Sequence, residues 1–437
     1  MRHLILLSAA FIFLVLASSC TPEAPVNNPE WTQYRRDEAS SGFQLVRSDI
    51  AWRPQWKTYI GGTAYSSPVI GANGTIYIGT TEGRLVALNP NGTTLWSLLV
   101  NDRDFVLMST PAIGADGSIY IISANAFSTP TSTLHKVAAS GTLVWNIQLD
   151  EATTSSPKIF HDPAGDQVFV STPGDLFIYD TFGTLLHHEV VPAVCPVVGS
   201  TPVSDFFDAL VDFFSNIPVE FDTSAKVIGI PNSPYPTIAI VKHPNVTSVT
   251  QPIIVVPNLC EVTFYQWTDR GLEFLGRARS DEATGYTSPA VSAGGAAIIS
   301  RGDGVVLAFG VDANTIPHVN LLWSYDTKEK VKFSAATSLR QVYVASTTKL
   351  HVLEETNGAQ VVTYSLSGSD EFLTPPVRTA DYVYVGSEAG FHTFEWDLTS
   401  SVLRGDLIPA NYRSPTVAPD GTVYLVAEGN LFAYAAP

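Results

Sequence analysis

The sequence predicts an all-β protein: an eight-bladed β-propeller of four-stranded antiparallel blades, closed by an N-terminal strand and carrying an insertion in the fourth blade. Three observations predict it. A Ser-Pro-like start recurs at Pro68, Pro111, Pro157, Pro202, Pro289, Ala335, Pro375 and Pro415. The steps are about 40–46 residues, apart from one of double length after Pro202, and that period with strand signals suits one propeller blade. Within each unit, short apolar runs are separated by Asn-Gly or Asp-Gly pairs, the signature of tight hairpins. Finally, 31 Gly and 29 Pro against two Met speak against a helical bundle.

Composition narrows the function classes. The chain has 437 residues, with 41 Asp and Glu against 24 Lys and Arg, a net charge of −17. Hydrophobic residues make up 45% and charged ones 15%, which rules out a disordered chain. No basic footprint is available to pair with phosphates, so nucleic acid is not an expected partner. A chain of this length either splits into domains or forms a repeat array, and the recurring unit decides for the array.

The N-terminus reads as an address. Arg2 precedes an apolar run, Leu4–Leu16, too short for the ~20 residues of a membrane-spanning helix and suited to a secretion signal. Ala17-Ser18-Ser19-Cys20 follows. This resembles the bacterial lipoprotein signal, which implies removal of residues 1–19 and acylation of Cys20. The alternative is ordinary cleavage near Ala17 or Ser19. Thr21, in place of Asp, implies delivery to the outer membrane by the same resemblance. Residues 20–30 then form a lipidated Cys and a Pro-rich tether that keeps the body within about 30 Å of the bilayer. Residues 31–437 form the propeller.

The first unit shows the pattern in order. Ser66-Ser67-Pro68 opens a buried strand, Asn73-Gly74 turns the chain, and Thr75–Gly79 forms a second strand. Leu85–Leu88 forms a third, and Asn91-Gly92 turns into a strand carrying Trp96. The unit resembles the PQQ-type β-propeller repeat, in which glycine and tryptophan lock neighbouring blades. The Trp position recurs at Trp145 and Trp323 and is replaced by His187, Gln360 or Val361, and Leu403. Trp31–Arg36 with Ser41-Gly42 looks like the lead-in of such proteins. The last unit ends at Tyr434 without a fourth strand, and Gln55–Ile60 is placed to supply it, which would remove both open sheet edges.

Residues 203–258 depart from the array and read as an insertion. Asp205–Ser215 is amphipathic at helical spacing, with Phe206, Phe207, Leu210 and Phe214 on one face. That face either packs on the propeller rim or forms a partner-binding patch. Cys195 and Cys260 flank the segment and would pair in an oxidising envelope or stay as buried thiols. Per-repeat insertions such as 101–108 and 125–132 tend to collect on one binding face.

No catalytic, cofactor or metal site is expected. The His residues are scattered, and neighbours His187 and His188 face opposite sides of a strand. His-Glu-x-x-His, Walker and Gly-x-Ser-x-Gly patterns are absent. Asn73, Asp116 and Asp420 precede Gly and read as turn residues. Quinoprotein dehydrogenases of the resembling family use an adjacent Cys pair and an Asp beside calcium, and this sequence has no adjacent cysteines. The expected function is a non-catalytic, lipid-anchored scaffold of the bacterial envelope, a monomeric propeller that binds envelope proteins. It resembles the propeller lipoproteins of the outer-membrane assembly machinery in anchor, repeat and blade number. The alternative is a periplasmic PQQ-dependent oxidoreductase or sugar-binding protein using the central channel.

Overall fold

The computed structural model describes residues 31–48, 54–100, 105–125, 131–191, 236–241, 251–258, 261–279, 285–312, 318–338, 340–395, 401–403 and 414–434. Among them there is no helix, and the strands form eight antiparallel sheets. We call the strands of each blade A to D from the first to the last. Blade one runs Val69–Ile70, Ile76–Gly79, Arg84–Leu88, Thr94–Leu99, and blade two Ala112–Ile113, Ile119–Asn125, Thr131–Val137, Leu143–Leu149. The A strands of blades three to eight are Lys158–Phe160, Ala239–Val241, Ala290–Val291, Ala336–Ser338, Val377–Arg378 and Thr416–Val417. A strands of neighbouring blades lie against one another, so they form the hub.

Burial follows position. Strands A to C are sandwiched between blades, so Ile76–Gly79 is buried at every residue, whereas Thr94–Leu99 alternates at the rim. The apolar layers therefore lie between blades. Val255 and Phe264 of blade four pack with Ile299 and Phe309 of blade five, and Tyr343 and Val352 of blade six with Val385 and Phe394 of blade seven.

The ring closes as expected. Trp56–Tyr59 pairs with Asn430–Ala433 and becomes strand D of blade eight, whose A to C strands are the last of the chain. Closure also reveals a fourth docking tryptophan. Trp96, Trp145 and Trp323 each lie against a glycine of the next blade, Gly141, Gly183 and Gly358, and Trp56 lies against Gly92 in the same way. Their indole N–H groups donate to Ala139 O (2.9 Å), Thr181 O (3.2 Å), Glu355 O (2.7 Å) and Pro90 O (2.8 Å). His187 keeps the site in blade three, against Gly271 and Trp267. In blade six the register puts Val362, rather than Gln360 or Val361, opposite Val352 beside the bulge that the tryptophans share.

The Ser-Pro start has a structural purpose. The backbone N–H of Ser67 donates to Thr110 Oγ1, that of Thr110 to Ser156 Oγ, that of Ser156 to Thr237 Oγ1, and that of Thr237 to Ser288 Oγ, at 2.9–3.2 Å. This belt of hydroxyls pairs buried amides from blade to blade, which would otherwise lose their water uncompensated. It also corrects the fourth unit. Thr237 holds its place in the belt, and blade four runs Ala239–Val241, Ile253–Pro257, Glu261–Thr268, Gly271–Arg279. The final part of 203–258 is thus blade, and the expected helix of 205–215 lies outside the described residues.

Candidate functional site

The hub is sealed at one face by residues 31–48. Each A strand would expose unpaired backbone groups along its inner edge. The N-terminal strap satisfies those of blades one to seven in ring order. Ile70 N–H donates to Trp31 O, Ile113 to Thr32 O, Ile240 to Glu38 O, Val291 to Ala39 O, Thr337 to Ser41 O and Arg378 to Gly42 O, all at 2.8–2.9 Å. At blade three a side chain substitutes: Gln33 Oε1 accepts from Ile159 N–H at 2.9 Å and Gln33 Nε2 donates to Ile159 O at 3.2 Å. The strap lies where each A strand turns into B. The opposite face carries the B–C turns and the connections between blades.

Two buried cations fasten the strap. Arg35 is 2% exposed. Its Nη2 donates to Ala335 O (3.0 Å) and Pro376 O (2.7 Å), and Nη1 reaches Ser414 Oγ at 3.5 Å. Burial lowers its pKa to about 10, opposed by Tyr34 and Asp37, so it stays charged. Gly42 makes room: a Cβ there would stand 2.1 Å from Nη2, and φ is +60°. Lys158, fully buried, donates from Nζ to Tyr34 O (2.8 Å) and Asp37 O (2.6 Å). Burial pulls its pKa down to about 7, against the raising effect of Asp37 and Glu38. The Trp31–Arg36 lead-in is therefore a structural part of the hub.

Three His residues that looked scattered occupy one position, mid-strand C, beside a Ser at or near the end of strand B. The pairs are Ser123–His135 Nε2 (2.8 Å), Ser346–His351 Nε2 (3.2 Å) and Ser387–His392 Nε2 (2.9 Å). In blades six and seven a carboxylate joins: Ser346 Oγ donates to Glu329 (2.8 Å) and Ser387 Oγ to Asp370 (2.7 Å). A nucleophilic triad needs the imidazole between hydroxyl and acid. Here the serine is in the middle, and Nδ1 of His392 is buried without a hydrogen-bond partner. The acids also cap B–C turns: Glu329 accepts from Thr348 N–H, Asp370 from Ala389 N–H and Glu151 from Gly174 N–H. These are fold-locking networks. The signal in the sequence was the repeated Ser-x4-His of 346–351 and 387–392.

The networks set a pH dependence. Burial lowers His135 from 6.5 to about 4, and His351 likewise, despite the raising effect of Glu329. An imidazole kept neutral in the fold binds fewer protons than the unfolded chain between pH 6.5 and 4, so stability falls as pH falls through that window. His135 alone accounts for about 3 kcal/mol. Glu329 extends the loss lower. Burial raises its pKa, but bonds from Lys349, Thr348 and Ser346 outweigh it and hold it at about 2. Urea midpoints at pH 7, 5.5 and 4.5 check this. A His135→Gln variant should flatten the first part of the decline, and an unchanged slope would contradict the assignment.

Beside the strap, a cleft of 630 Å³ opens between blades six and seven. Phe43, Leu45, Ser338, Arg340, Gln341, Glu354, Arg378 and Ala380 line it. The residues singled out from the sequence, Cys20, Cys195, Cys260, Phe206, Phe207, Leu210 and Phe214, all lie outside the described residues.

Comparison with known proteins gives this architecture its context. A family model described as outer membrane protein assembly factor BamB matches residues 42–192. The crystal structure of BamB from Moraxella catarrhalis superposes with a TM-score of 0.61 at 12% identity, covering 89% of this chain and all of the other. The chain is an eight-bladed β-propeller that resembles BamB. The same fold appears in the quinohemoprotein alcohol dehydrogenase of Comamonas testosteroni, with TM-score 0.62, 10% identity, and 93% of this chain and 80% of that one covered. It appears again in Sqt1 of Saccharomyces cerevisiae, at 0.58, 9%, 90% and 98%. At such identities the likeness concerns the fold alone. No curated protein sequence matches the chain.

The quinone site implied by the dehydrogenase resemblance does not fit the residues of this propeller. Cys20, Cys195 and Cys260 include no adjacent pair. Among the described residues no group of three or more His, Cys, Asp or Glu is arranged to hold a metal ion. Glu151, Glu329 and Asp370, on the face opposite the strap, are committed to capping turns.

Proposed function

We propose that this propeller is a non-catalytic docking platform of the bacterial cell envelope. In this reading Cys20 is its lipid anchor, residues 1–19 its signal and 20–30 its tether. The observation that carries the reading is the internal commitment of the hub. One mouth is closed by the chain's own strap, and the Ser-His-acid groups that suggest chemistry lock the blades. A rigid disc with that interior offers its faces and rim to other proteins. The net charge of −17 favours basic partners and keeps the body away from anionic headgroups. The likeness of residues 42–192 to assembly factor BamB directs the search for partners to outer-membrane protein assembly. Phe206, Phe207, Leu210 and Phe214 are proposed contacts, and a Cys195–Cys260 disulfide is proposed to clamp their segment.

Photo-crosslinking in intact cells, followed by mass spectrometry, should capture envelope proteins. Cys20→Ala should move the protein from the membrane to the soluble fraction and weaken that capture. Unchanged fractionation would defeat the anchor. Stabilisation by pyrroloquinoline quinone with calcium, without protein partners, would defeat the platform in favour of an oxidoreductase.

A further inference from the structure

The cleft between blades six and seven has chemistry that the hub does not use. Arg378 is 7% exposed, and its backbone is clamped on both sides by the strap, N–H to Gly42 O and O from Gln44 N–H, each 2.9 Å. Its Nε donates to Tyr343 Oη at 3.1 Å, and that hydroxyl donates to Gln341 Oε1 at 2.7 Å. This chain fixes the guanidinium. Arg378 Nη1 is buried with no hydrogen-bond partner. A desolvated cationic donor left unmatched is costly, and an anion is what would match it.

The surroundings agree. Arg340 lines the same cleft and makes no side-chain hydrogen bond or ion pair among the described residues. The one lining acid, Glu354, pairs with neither arginine. Two cations against one anion make the cleft locally positive on a chain of net charge −17. Phe43 and the half-exposed Leu45 supply an apolar wall next to these donors. The volume falls within the range of small-ligand and peptide pockets.

We infer that this cleft binds a carboxylate carried on an apolar peptide segment of a partner protein, with Arg378 and Arg340 on the carboxylate and Phe43 and Leu45 on the neighbouring side chain. The inference rests on the platform reading and names the chemistry of one partner. The carboxylate could come from a chain terminus or from an acidic side chain.

Three labelled pentapeptides test it against the full-length chain by fluorescence anisotropy. All share an apolar sequence ending in phenylalanine. One has a free C-terminus, one is amidated, and one is amidated with a central aspartate. At least one acidic peptide should bind about tenfold tighter than the neutral one, and the tighter of the two identifies the source. Arg340→Gln, at an exposed position, should remove most of that preference without changing the melting temperature. Arg378→Gln should remove it too, with folding checked by circular dichroism. Equal binding of all three peptides, no binding, or a preference that survives Arg340→Gln overturns the inference. Loss of the platform reading would show separately, as the absence of crosslinked partners in cells.

Discussion

Arg35→Ala should cost about 3–5 kcal/mol of folding stability, the largest effect expected of any substitution in the strap. The guanidinium is the single donor group shared by the carbonyls of Ala335 and Pro376, which belong to the hub connections of blades six and seven. Removing it leaves both carbonyls buried without that donor, at about 1–3 kcal/mol each. It also empties the space that Gly42 was kept small to provide. Arg35→Met tests the cause. It fills much of the volume but restores no hydrogen bond, so it should recover only part of the loss. Urea unfolding with an unchanged slope would measure both variants. A loss under 1 kcal/mol for Arg35→Ala would mean that the strap is not integral to the folded ring.

Gly141→Ala should be next in size, about 3 kcal/mol, and Gly117→Ala is its control. Both glycines belong to turns of blade two and have similar left-handed backbones, φ +87° and +77°. Either alanine pays the strain of that conformation, about 1–2 kcal/mol. The surroundings differ. A Cβ at 117 meets nothing within 4 Å, whereas at 141 it stands 2.7 Å from the Trp96 ring. Trp96 must then leave its slot or lose its bond to Ala139 O. The difference between the two variants isolates blade docking from backbone strain. Equal losses would show that the tryptophan contact contributes little.

Much of the fold was legible because the blade is a local object. The Asp116 and Asp420 turns appear as read, each carboxylate accepting the N–H two residues on. The docking residues Trp96 and Trp145 were visible from their spacing after Gly-Thr turns, and Trp323 from its place in the repeat. Trp56 was not, because the other strands of its blade are at the far end of the chain. The fourth unit misled for a related reason. Ser200-Thr201-Pro202 matches the start motif better than Tyr235-Pro236-Thr237, but it is Thr237 whose hydroxyl accepts from the amide of Ser156 and whose own amide donates to Ser288 Oγ.

The candidate site was less legible. Trp31–Gly42 could be likened to a family lead-in, yet nothing in its sequence says that it crosses the A strands in turn. Arg378 is one cation among 24 Lys and Arg. Its burial, its contact with Tyr343 and its unmatched Nη1 depend on two blades and the strap meeting at one point.

Period, turn chemistry and apolar runs belong to stretches of some forty residues, and amino-acid order alone prescribed them. It thereby prescribed the blade and favoured eight of them over nine. The sealed hub, the hydroxyl belt, the serine–histidine locks and the arginine-lined cleft came into being only when the ring closed. Closure sets Arg35 beside Pro376 and Trp56 beside Tyr424, and no local pattern encodes contacts between residues so far apart along the chain.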